Sequence, residues 1–213
     1  EIIRRSTART IGAYFRDGRG ASAAAPPGLQ LARHGEAADG GGGGRRRPIH
    51  AVSVELTRPE IAKGAVGAGF VNNIRDKDGV VRRMPMAIEY GGALYMPLGL
   101  AVALAARGKP GDTRYLAGAD TLTAMGEPLP LGPGASLSLD IPGKAAIPRV
   151  SAADVLAGKP LPLAGKLVFV GFTNSAYDKI ETPFDSRADG IELHATLAEN
   201  ILGGHYLRLA GKR

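Results

Sequence analysis

The sequence predicts a loop-rich α/β domain, a mixed β-sheet with flanking helices, and three observations carry that prediction. Leu167 to Phe172 is a continuous apolar run followed by a polar loop and then a helical pattern, the strand, loop, helix order of a βαβ-type unit. Asp76-Lys-Asp-Gly79 between two apolar stretches reads as a hairpin turn, because Asp-Gly supplies the positive φ angles such turns need. Pro97 to Arg107 repeats apolar residues at helical spacing and is followed at once by Gly108, a helix-ending residue.

Taken in order, Ile2, Ile3, Ala8 and Ile11 with Tyr14 and Phe15 are spaced as one short amphipathic helix over residues 1–16. Residues 17–47 join an Ala/Pro/Gly stretch to Gly40–Gly44 and Arg45–Arg47, too poor in apolar side chains to offset their own ordering entropy, so they read as a flexible insertion or linker. Residues 48–213 then form the main domain. Ala51 to Leu56 alternates as a strand, Pro59 opens a helix ending at Gly67 and Gly69, and Phe70 to Ile74 is the first arm of the Asp-Gly hairpin. The second arm runs to about Tyr90, with Pro85 marking an edge or a bulge because it has no N–H to donate. Pro110 to Gly134 is turn-rich, and Ser136 to Ile141 alternates as a strand. Ser151 caps a short helix with Asp154 three residues on. Leu167 to Phe172 is expected as a central strand buried on both faces, and a helix from about Gly190 to Leu202 ends at Gly203 and Gly204.

Composition narrows the chemistry. The 213 residues contain no cysteine, which removes disulfides, iron–sulfur clusters, thiolate zinc and a cysteine nucleophile. No apolar run reaches the roughly 18 residues needed to span a bilayer. The net charge of +7 is uneven: the first 50 residues hold nine arginines against four carboxylates and carry +5, leaving the remainder near balance. With aromatics at 5% and no binding motif, a nucleic-acid partner is not expected. Asp76 and Asp78 imitate the opening of a calcium loop, but Arg82 and Arg83 stand where further oxygen ligands belong, so no metal is expected. No Walker A sequence or GxSxG elbow occurs, and Gly67 and Gly69 lack the third glycine of a dinucleotide fingerprint.

Two places hold candidate functional residues. Thr173, Asn174, Ser175, Tyr177 and Asp178 concentrate hydrogen-bonding groups after an apolar run, suiting either a recognition loop or a turn that satisfies itself. His194 shares a helix face with Leu197, Ala198 and Ile201 and so points inward, a core histidine by default and an acid/base group if Asp178 approaches it.

Several blocks together, Gly69-Phe-Val-Asn72, Asp76 to Pro85, Gly165 to Gly171, Asp178, Thr182-Pro183 and Gly190-Ile-Glu-Leu-His194-Ala195, resemble the second type of CHASE domain over about residues 60–207. Such domains are extracellular sensory modules associated with bacterial cyclases, histidine kinases and serine/threonine kinases. The resemblance implies an extracytoplasmic input module at the periplasmic face of the inner membrane, without cofactor or catalytic residues. Its partners would be a small-molecule ligand, flanking transmembrane helices, a cytoplasmic output domain and, in some arrangements, a second copy of itself. The family's opening strands and helices are not recognisable here, which implies an incomplete sheet. The recognition set expected is Asn72, Arg82, Thr173, Asn174, Asp178, Thr182 and His194, with Arg82 and Asp178 alternatively a structural ion pair. Two rival readings are a hydrolase using His194 and Asp178, and a dimerising domain built on the Ala-rich helix or a strand edge.

Overall fold

In the computed structural model the described residues are 10–16, 33–36, 48–62, 65, 67–109, 113–116, 121–143, 147–173 and 178–208. They run in order β1 (Thr10–Arg16), β2 (Arg33–Glu36), β3 (Ile49–His50), β4 (Ser53–Leu56), α1 (Pro59–Ala62), β5 (Gly67–Phe70), β6 (Arg83–Pro85), β7 (Ile88–Tyr90), β8 (Ala93–Tyr95) and α2 (Leu98–Ala106). Then follow β9 (Thr113–Leu116), β10 (Thr121–Ala124), β11 (Glu127–Pro130), β12 (Ser136–Leu139), α3 (Ala152–Leu156), β13 (Lys179–Ile180), β14 (Ala188–Asp189), α4 (Gly190–Gly203) and β15 (Tyr206–Leu207). The strands form small sheets ordered β4-β1-β5, β11-β10-β9, β15-β12-β6, β2-β8-β7-β3 and the pair β13-β14. This is the expected loop-rich α/β class, with the sheets smaller and more numerous than one mixed sheet.

The helix expected over residues 1–16 is a strand wherever it is described, residues 1–9 lying outside the described residues. β1 is the middle strand of its sheet, antiparallel to β4 and parallel to β5, so both edges of its backbone are paired. Gly12 sits at its centre, where a Cβ would come within 2.7 Å of Val71 Cγ1. Tertiary pairing thus outweighs a short helical spacing that also contains a glycine. Within residues 17–47, expected as flexible, Arg33–Glu36 pairs with β8; the rest lies outside the described residues. Likewise the turn-rich stretch before Gly134 contains the antiparallel β9-β10-β11 sheet, and the long second arm of the hairpin is broken into β6 and β7. Pro85 does lie on an edge strand: β6 pairs with β12 and, beyond the single Ile74–Arg83 bridge, with no other strand among the described residues.

The core is organised by the two longer helices. α2 contains only Leu, Gly, Ala and Val and buries Leu98, Leu100, Ala101, Ala103 and Leu104. It packs on α4 through Gly99, where a Cβ would lie 2.5 Å from the His194 carbonyl oxygen and 3.0 Å from Leu197 Cβ. Gly69 allows an equally close approach of β5 to the start of α2, its Cβ direction meeting Leu98 Cα at 2.5 Å. Met84, Met86, Leu122, Leu137 and Leu197 complete the fully buried layer beneath. Gly204 closes α4 in the left-handed conformation at φ 71°, and Ser151 caps α3 by accepting from the Ala153 N–H at 3.2 Å, both as the sequence indicates.

Leu167 to Phe172 corrects the sequence reading most sharply. It is not a buried central strand: among the described residues its backbone makes no hydrogen bond. Phe169 packs against the core, Leu167 and Phe169 face Ala198 and Leu202 of α4 across an open cleft of about 410 Å³, and Gly171 abuts Ile191, whereas Val170 and Phe172 are 74% and 82% exposed. A strand is made by its neighbours' backbone groups, and none of the described residues supplies them here.

Candidate functional site

The β13-β14 pair turns the chain into α4 and sets Lys179 directly opposite Asp189. Asp189 is the N-cap of α4 and its side chain is completely buried, the place in the molecule where an unpaired carboxylate would cost most. Two cations answer it. Lys179 Nζ pairs with Oδ1 and also donates to the Thr173 carbonyl at 2.8 Å. Arg149, from the loop before α3, brings Nη1 within 2.9 Å of Oδ2, an ionic contact without the geometry of a hydrogen bond.

The same guanidinium holds Glu192, with Nη2 at 2.6 Å and Nε at 2.9 Å from Oε1. Glu192 in turn accepts from the Asp189 N–H at 3.4 Å, as the N3 residue of a capping box. These two carboxylates also favour the first turn through the helix dipole. Arg149 is held above its ordinary pKa, chiefly by the hydrogen bonds to Glu192. Asp178 lies over the start of α4, where a Cβ on Gly190 would run into its carboxylate. Burial, then the charge of Asp189, push the Asp178 carboxyl above its usual value, while Lys179 opposes this.

Beside the cluster, Thr182 Oγ1 accepts from the Asp185 N–H at 3.0 Å and donates to its carbonyl at 3.2 Å, a turn that satisfies itself. Thr182, Asp185, Asp189, Glu192 and Thr196 line a crevice of about 30 Å³ floored by Ile147 and Ile180, room for roughly one water. The ion pairs therefore tie two segments, at Arg149 and at Lys179, to the head of α4 and fill the space between them.

Of the expected recognition set, Thr173, Asp178 and Thr182 are gathered around the head of α4. Asn174 lies outside the described residues. Arg82 is elsewhere, clasping the hairpin turn: Nη2 meets Asp78 Oδ2 at 2.8 Å and Nη1 meets Asp76 Oδ2 at 3.1 Å, while Arg83 takes Asp76 Oδ1 at 2.7 Å. These bonds lower the Asp78 carboxyl to about 2. The ion-pair partners of Arg82 are thus Asp76 and Asp78 rather than Asp178. His194 is only 2% exposed; its Nδ1 has no hydrogen-bond partner, so the bond to the Val71 backbone runs from Nε2. Asn72, half-buried, follows Val71 in the chain. His194 and Asp178 make no bond to each other, leaving the hydrolase reading without its acid/base pair. No group of three metal-ligating side chains occurs among the described residues.

Sequence reasoning missed Arg149, Lys179, Asp185, Asp189 and Glu192. The capping pair Asp189-Gly-Ile-Glu192 was readable from its spacing; the approach of Arg149 across more than forty residues is visible only in the fold.

The profile of the CHASE2 domain matches residues 3–212. The chain belongs to the CHASE2 domain family. CHASE2 domains are extracellular sensory modules of membrane receptors, which supports a sensory role for this chain. The match begins before β1, and includes in the domain the N-terminal strand that the resemblance over residues 60–207 left out. Neither a curated protein nor a solved structure matches the chain. Among the described residues no helix of this CHASE2 domain is long and apolar enough to cross a membrane.

Proposed function

We propose that this CHASE2 domain is the extracytoplasmic sensor of a bacterial transmembrane receptor, controlling a cytoplasmic cyclase or protein kinase, and that its input acts at the charged head of α4. The observation that carries this reading is the buried Asp189 held between Lys179 and Arg149, with Glu192 sharing the same guanidinium. A small-molecule ligand that replaces one of these partners changes how α4 is tied to residues 147–150 and 178–180. To transmit a signal it has to favour one arrangement over the other, since a ligand with equal affinity for both shifts nothing. Asp178, Asp185, Asp189 and Glu192 outnumber Lys179 and Arg149, which supports a ligand that brings positive charge. The motion would pass along α4 to flanking membrane helices, in a monomer or a homodimer.

The test is a thermal-shift screen of the 213-residue chain against amines, amidines, amino acids, carboxylates, phosphates, nucleotides and divalent cations. A ligand that binds only the folded state raises stability by mass action. The reading expects a saturable rise with an amine or amidine that grows in Arg149→Ala, where the competing guanidinium is gone, and is lost in Glu192→Gln. A panel that leaves the melting temperature unchanged, or a rise indifferent to both substitutions, contradicts it.

A further inference from the structure

His194 lies in the seam between the two long helices, far from water, with one ring nitrogen committed and the other bare. Its own backbone carbonyl faces Gly99 of α2, and its Nε2 is bonded to Val71, at the end of β5. Among the described residues no charged side chain faces the ring. α2 has no titratable residue, the segment Val71 to Ile74 offers only Asn72 and Asn73 as polar groups, and Gly12 of β1 has no side chain. On α4 itself, Glu192 is turned to Arg149, and Glu199 stands 3.7 Å from the exposed His205. An imidazolium formed here would hold a second N–H at Nδ1 with no acceptor and a charge with no counter-ion, which a buried site does not tolerate.

We propose that His194 is a proton-operated release for the α2–α4 seam: acid drives α4 away from Gly99 and Val71, independently of any ligand at the head of the helix. Protonation occurs in the opened form, where the ring reaches water, and the closed form keeps the neutral Nε2–H tautomer. The ring's folded value, lowered to about 4 by burial, agrees with this closed, neutral state. Because the open form binds the proton more tightly, the opening equilibrium shifts toward it through the window between the ordinary histidine value and about 4. Asp178, raised by burial, titrates with the opposite sign and is removed as a contributor by Asp178→Asn.

The experiment follows amide hydrogen exchange of α2 and α4 in the full chain from neutral to acid pH, corrected for intrinsic chemistry, alongside NMR titration of the histidine rings. The opening constant of the seam is expected to rise roughly tenfold for each pH unit between about 6 and 4.5, with the dependence kept in Asp178→Asn and lost in His194→Gln. If His194→Gln fails to fold, the wild-type ring signals decide. A His194 ring that stays neutral in the closed state while opening grows with acid supports the proposal. A ring that titrates near 6.5 with the seam still protected, or protection that does not change with pH in that window, overturns it.

Discussion

The two ends of α4 are held by different chemistry. From His194 to Ile201 the helix is fixed mainly by packing: Leu197 is fully buried and Gly99 lets the backbones touch, with Asn200 adding hydrogen bonds to the Asp140 backbone. At Asp189 to Glu192 it is fixed by charge, and the cations that hold it remain half open to solvent in the case of Arg149. A packed seam has few ways to rearrange without loss of stability, whereas a charge cluster rearranges whenever a better partner arrives. The contrast teaches where this domain keeps its stability at neutral pH and where it keeps its response to a ligand.

Substitutions at the two ends separate them. The largest effect is expected for Leu197→Ala, which empties a fully buried position and costs about 3 kcal/mol, or roughly 6–12 °C of melting temperature for a chain of this size. Asp189→Asn follows, because it strips the buried charge from between Lys179 and Arg149. Both cations can turn toward water, so denaturant unfolding should show about 2 kcal/mol, below the usual cost of a broken buried pair. Arg149→Ala should cost under about 1 kcal/mol, since its side chain is half exposed, while strengthening the response to an amine that takes its place. Equal losses from Leu197→Ala and Arg149→Ala would erase the distinction between the two ends.

What the sequence made legible follows the same division. α2, the cap of α3 and the glycine stop of α4 were readable because each is set by a few adjacent residues. β1 was not, because its strand state comes from β4 and β5. Leu167 to Phe172 shows the converse: its composition asks for burial, yet side-chain pattern cannot create the neighbouring strands that burial requires. Phe172→Ser, at a position 82% exposed, should therefore change unfolding stability by less than about 0.5 kcal/mol. In the site, Thr173, Asp178 and Thr182 were found from the density of polar groups after the apolar run. Arg149 and Lys179 escaped notice because isolated cations carry no spacing signal. Arg82 was drawn into the candidate set, whereas its carboxylate partners lay four and six residues away in its own turn.

The most direct test of separate control is amide hydrogen exchange at neutral pH in the full chain and in Arg149→Ala. The amides of His194 to Thr196 bond the first-turn carbonyls, and those of Ala198 to Leu202 lie along the packed seam. Faster exchange at the first group with the second unchanged is the predicted result. An equal change in both groups, or none in either, would contradict the claim that the head of α4 is a separately adjustable latch.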